Sequence, residues 1–156
     1  MVETKAEQTP VKIWVKTDIF QGDQKETFEL VTFGRYYSKG QSSYLLYEEV
    51  MDVGNIKTSV KFSDGEAVIL RSGALNMRLV FKKDHLMRGH YETPYGAMEM
   101  LTNTKKIGHV PSSEKDGVLD LLYELTTQGE VAGTYHMEIT YKEDAKQNEH
   151  RSRSTK

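Results

Sequence analysis

Arg71 is the residue of this chain whose type and setting most suggest chemistry. It lies in the alternating segment Glu66 to Ser72, on the same side as Ala67 and Ile69. Side chains of a strand point to opposite faces in turn, so a guanidinium there is aimed where apolar groups are aimed. A buried guanidinium costs several kcal/mol if it has no partner, so something must meet it.

Neighbouring segments supply candidates. Asp64-Gly65 is a two-residue hairpin signal, since a type I′ turn needs positive φ at both central positions. Pairing across it sets Phe62 opposite Ala67, Val60 opposite Ile69 and Thr58 opposite Arg71. A turn through Gly73, Ala74 and Leu75 puts Met77 beside Arg71, and one through Lys83, Asp84 and His85 puts Tyr91 beside Met77. If Val50 faces Ile56, Glu48 falls opposite Thr58. The outcome is one inward row, Glu48, Thr58, Arg71, Met77 and Tyr91. Strands lie about 4.8 Å apart, so the Glu48 and Arg71 side chains can meet over Thr58. Two readings stay open. The row is an internal ion pair that fixes register, or it is a cation that receives the acidic group of a ligand, with Tyr91 as wall and hydroxyl. Tyr123 is a second candidate wall residue, and Thr93 and Tyr95, flanking Pro94, are candidates for the rim.

Other chemistries find no support. The histidines His85, His90, His109, His136 and His150 share no metal-ligand spacing, so no metal site is expected. His136 opposite Asp120 reads as a surface cross-strand pair. Glu48-Glu49 resembles a carboxylate dyad, but adjacent strand residues diverge. There is no phosphate-cradling glycine loop, no nucleophile elbow and no cysteine at all. Neither a cofactor nor a catalytic centre is expected.

The elements that must position the row are short, alternating segments separated by turn residues. About ten fit between Val11 and Lys142, and none reads as a long amphipathic helix. Residues 55–62 are the clearest, with Ile56, Thr58, Val60 and Phe62 on one face. Gly34 is a candidate bulge, the stretch 106–116 a long polar loop, and a three-residue loop at 127–129 pairs Leu125 with Val131, Tyr123 with Gly133 and Leu121 with Tyr135. Trp14 shares a face with Lys12 and Lys16, outside under their stems or closing one barrel end. Every recoverable connection is a hairpin, so the simplest fold is all-β, a single closed or nearly closed antiparallel up-and-down barrel of about ten strands. Closure removes the two edges that an open ten-stranded sheet would expose, and that width leaves room for a cavity.

The 156 residues make one domain, with residues 1–10 a flexible segment, 11–142 the barrel and 143–156 a charged tail. The net charge of −2 gives no footprint for duplex DNA. No signal-like or membrane-spanning apolar run occurs, so a cytoplasmic setting without membrane contact is expected, while the oligomeric state is open. Tyr36, Tyr37, Tyr44 and Tyr47 cluster in sequence, and an exposed patch of such rings would instead suit a protein- or RNA-interaction module.

Four segments together carry a family resemblance. They are Tyr47-Glu48-Glu49, Ile69-Leu70-Arg71-Ser72-Gly73, Tyr91-Glu92-Thr93-Pro94-Tyr95-Gly96 and Leu122-Tyr123-Glu124-Leu125. In this order and spacing the chain resembles the YwiB-like family, bacterial proteins, chiefly of Firmicutes, without an assigned function. The resemblance spans about Lys12 to Tyr141, and the Tyr-x-Thr-Pro-Tyr-Gly segment is its most specific part. It implies a calycin-like barrel, related in architecture to lipocalins, and no activity or catalytic residues. The expectation for function is a small, partly apolar acidic ligand held in the lumen by Arg71, with Glu48, Thr58, Met77, Tyr91, Thr93, Tyr95 and Tyr123 around it.

Overall fold

A computed structural model describes residues 7–144. The chain forms ten strands: β1 (Thr9–Gln21), β2 (Gln24–Lys39), β3 (Ser42–Met51), β4 (Gly54–Ser63), β5 (Glu66–Gly73), β6 (Asn76–Lys82), β7 (Leu86–Thr93), β8 (Gly96–Pro111), β9 (Gly117–Thr127) and β10 (Glu130–Glu143). Each pairs antiparallel with its sequence neighbours, and β1 pairs with β10 from Val11↔Glu143 to Phe20↔Thr134, closing the barrel. The described residues contain no helix, hence none long and apolar enough to cross a membrane. The barrel begins at Thr9, two residues earlier than expected, with Thr9 and Pro10 buried. Most of the expected tail, residues 145–156, lies outside the described residues, as do residues 1–6 of the N-terminal segment.

Alternation sorts the two faces. Ile56, Thr58, Val60 and Phe62 of β4 all point inward and are buried. The hairpin at Asp64-Gly65 has the expected register, with Phe62↔Ala67, Val60↔Ile69 and Thr58↔Arg71. Arg71↔Met77 and Met77↔Tyr91 continue it. Trp14 stands outside, with Lys12 Nζ 5.0 Å over its ring.

Three expectations are corrected. At β3–β4 the turn is tighter, pairing Met51 with Gly54, Glu49 with Ile56 and Tyr47 with Thr58. This one-residue offset inverts β3. Leu45 and Tyr47 are buried, Val50 is 85% exposed, and Glu48 faces solvent. Both faces of β3 carry apolar residues, so alternation could not choose between them, and turn length decided. At β9–β10 the turn is the two-residue Gln128-Gly129, with φ of 50° and 82° as a type I′ turn requires. An extra residue between Val131 and Gly133 then restores the apolar face, giving Gly133↔Leu125, Tyr135↔Tyr123 and Met137↔Leu121. Third, the expected loop at 106–116 is mostly strand. A bulge between Thr104 and Lys106 lets β8 run on to Pro111, so the loop is only residues 112–116.

The ends of the barrel differ. At the end bearing the 64–65 turn, Tyr36 stacks on Tyr141 at 4.9 Å, and Phe62 meets His109 edge-on at 4.7 Å. His109 Nε2 lies 2.7 Å from the Tyr141 hydroxyl. These rings plug the lumen. At the other end β2 parts from β3. Their pairing stops at Gly34↔Tyr47, although β2 continues to Gln24 and β3 to Met51. Gly34, expected as a bulge, instead marks a close approach, because a Cβ there would sit 2.2 Å from the Leu46 carbonyl oxygen.

Two predictions follow from this packing. Gly34→Ala must push β3 away or strain β2, and is expected to cost about 1–3 kcal/mol in urea unfolding; an unchanged midpoint would refute the close approach. Burial lowers the pKa of His109. The unfolded chain therefore binds that proton more readily, so this contribution is full above about pH 6.5 and lost as pH falls through the depressed native value. The urea midpoint should drop on acidification below neutrality, and drop less in His109→Gln.

Candidate functional site

The site is built on β5, where Arg71 is the charged member of an otherwise apolar inner face. Its guanidinium meets Glu49, not Glu48: Nη2 lies 3.9 Å from Glu49 Oε1, with the two side chains 27% and 15% exposed. Thr58 Oγ1 donates to the same carboxylate oxygen at 3.4 Å. At that distance the ion pair is loose, well beyond the roughly 2.7–2.9 Å of a charge-assisted hydrogen bond. Arg71 Nε is buried with no hydrogen-bond partner, one of two such side-chain atoms among the described residues; the other is Thr104 Oγ1. Burial pushes the Tyr47 hydroxyl up to about 12, with the nearby Arg71 charge pulling the other way.

Below the splayed end, this pair borders a luminal cavity of about 350 Å³. Its walls are mostly apolar, including Ile69, Met77, Leu79, Met100, Leu125 and Met137. Tyr123 and Tyr135 stack at 5.3 Å on one side, and Phe28, 57% exposed, stands at the lip. Burial raises the pKa of the Tyr123 phenol and, less completely shielded, that of Tyr135. Both remain neutral hydrogen-bonding groups at physiological pH. The arrangement offers a cation, a carboxylate and neutral hydroxyls against an apolar wall. Among the described residues no histidine or second carboxylate lines this cavity.

The expected site residues separate into groups. Arg71, Met77 and Tyr123 line the cavity. Thr58 is buried beside it and holds Glu49. Tyr91 is half-buried against the core, one strand past Met77. Thr93 and Tyr95 serve their turn: Thr93 Oγ1 accepts from the Tyr95 N–H at 3.1 Å and donates to the Gly96 carbonyl at 2.9 Å, while the Tyr95 side chain is wholly exposed. Glu48 is on the outside. The carboxylate that sequence reasoning missed, Glu49, was available as the other half of Glu48-Glu49, and the face inversion of β3 hid it.

Two further constellations lie away from the cavity. On the outer face, His136 Nε2 lies 2.8 Å from Asp120 Oδ1 and 3.7 Å from Glu138 Oε1. Their register is diagonal, since His136 pairs with Leu122, and Lys106 Nζ already holds the other Asp120 oxygen at 3.3 Å. The tyrosines clustered in sequence do not share one exposed face. Tyr36 and Tyr47 are buried, and Tyr37 is outside, stacked on Tyr44 at 4.6 Å.

Comparison with known proteins agrees with this architecture. Residues 13–139 match the domain of unknown function DUF1934. The chain is 35% identical over 135 residues to the uncharacterized beta-barrel protein YwiB of Bacillus subtilis (strain 168), covering 86% of this chain and 94% of that one. The crystal structure of the ywiB protein from Bacillus subtilis superposes with a TM-score of 0.81 at 33% identity, covering 89% of this chain and 95% of that one. With its closed ten-stranded antiparallel wall and these matches along most of its length, the chain belongs to the DUF1934 family of YwiB-like β-barrel proteins.

Proposed function

We propose that the lumen binds a small, partly apolar molecule whose acidic group meets Arg71. The observation that carries this reading is the incomplete satisfaction of that guanidinium. Its Nε has no acceptor, its nearest carboxylate is 3.9 Å away, and another polar neighbour is the neutral Tyr47 hydroxyl. A buried charged donor left without a partner is expensive, and a purely structural ion pair would be expected to close to hydrogen-bonding distance. The cavity beside it, about 350 Å³, falls within the size range of small-ligand sites. Met77, Met100 and Met137 give its wall an adaptable apolar surface. A cytoplasmic setting is part of the proposal, and the absence of cysteine is compatible with it.

The methionine methyl groups report on the site directly. With 13C-methyl-methionine protein, octanoate should shift the Met77, Met100 and Met137 resonances, and octanol should do so more weakly. Arg71→Met, which replaces the cation by an apolar side chain and is expected to fold, should weaken octanoate binding roughly ten-fold or more, the loss of one charge-assisted bond. Equal affinity of octanoate for the wild type and Arg71→Met would remove the basis of the proposal. Met137→Trp, which fills the cavity from the far wall, should abolish binding of both probes. Native mass spectrometry of protein purified from its own host should show a retained small molecule that Arg71→Met no longer carries.

A further inference from the structure

We infer a second binding site on the outside of the barrel, a trough that takes an elongated organic anion with an apolar middle and an acidic group at each end. One outward row crosses six strands by direct register: Arg35 of β2, Leu46 of β3, Ser59 of β4, Leu70 of β5, Arg78 of β6 and His90 of β7. All six line an open cavity of about 890 Å³, more than twice the luminal volume. The trough has a simple origin. Long side chains stand at its two ends, while the small Ser59 leaves the sheet bare in the middle. Beneath that middle, alternation turns Thr58 and Arg71 inward, although both still contribute to the lining of the groove.

Polarity follows the same layout. Leu46 and Leu70 form an apolar centre, and Leu70 is 44% exposed among the described residues. Arg35 and Arg78 bracket that centre. Among the described residues, neither has a carboxylate within salt-bridge distance. The other outward arginine of the strands, Arg88, is paired, with Glu99 at 3.2 Å. The two carboxylates of the trough, Glu48 and Glu92, sit in the adjacent row toward the splayed end, with Lys57 opposite Glu48. An anionic ligand is therefore drawn to the arginine row and kept from the row beside it. Four strand spacings separate Arg35 from Arg78, roughly 19 Å between backbones before either side chain leans inward. A single acidic group cannot engage both guanidinia, and two groups at the ends of an alkyl or aryl spacer can. The trough and the lumen share Arg71 and Met77 in their linings, but the outward row of Arg35, Leu46, Ser59, Leu70, Arg78 and His90 belongs to the trough alone.

Isothermal titration with dodecanedioate tests the inference. The wild type should bind it, and dodecanoate should bind more weakly. Arg35→Gln and Arg78→Gln should each weaken dodecanedioate binding roughly ten-fold or more, as expected for one charge-assisted contact. Ser59→Trp, which fills the floor, should abolish binding, and Arg88→Gln, which removes an outward arginine away from the trough, should leave it unchanged. The inference is overturned if dodecanedioate gives no binding, if dodecanoate binds equally well, or if either arginine variant retains full affinity. It is also overturned if Met137→Trp, which fills the lumen, abolishes binding, which would place the ligand there, or if hexauridylate occupies the same residues more tightly, which would make the trough a polynucleotide surface.

Discussion

Closure of the sheet is the constraint on which everything else rests. Ten antiparallel strands joined by short turns leave two edges, and the β1–β10 ladder joins them over ten residue pairs. Once the wall is closed, each strand has one face in the lumen and one in water, and each side chain's environment is set by parity. A single inversion of parity moves a carboxylate from water to the interior, as Glu48 and Glu49 show. The same rule makes Arg71 notable, because a closed wall gives its guanidinium no easy route to bulk solvent.

The interior is graded along the barrel axis. One end is filled by rings and branched side chains, with Tyr36 and Phe62 each packed against Tyr141. The other end is lined by methionines, two stacked phenols and the loose Arg71–Glu49 pair. Aromatic packing makes a rigid plug, whereas unbranched thioether side chains tolerate changes of shape. The rigid plug and the adaptable cavity thus occupy opposite ends of one barrel. Buried polar groups occur where the core is least complete, which is where a ligand can complete it.

Much of this was readable in the residues. Period-two alternation with turn signals carries the barrel, and Asp64-Gly65 carries the register that puts Arg71 opposite Thr58. What failed did so for physical reasons. β3 is apolar on both faces, with Leu45 and Tyr47 on one and Tyr44, Leu46 and Val50 on the other, so its orientation depended on one residue of turn length. The β9–β10 turn uses Gln128 at positive φ, a conformation that glutamine seldom adopts and that no local rule announces. The bulge that follows shifts the expected pairs by two residues, which preserves parity, so the core on β10 was placed correctly even though its partners were not. The trough across β2 to β7 was not foreseen, because a groove on the outside of a sheet arises from side-chain heights across six strands, and no single segment displays it.

The parting of β2 from β3 bears on how molecules behave in company. From Gln24 to Phe33, β2 offers backbone donors and acceptors toward the gap with no strand beside them, next to the exposed Phe28, Val31 and Phe33. Such a margin invites another chain to add itself as a strand, the first step toward fibrous association. Lys25, Glu26 and Glu29 interrupt it with charge at short intervals, and the turn at Gly22-Asp23 ends it abruptly. Those polar side chains act as gatekeepers of colloidal solubility, and neutralising them would tax the protein in a crowded solution before it disturbed the isolated fold.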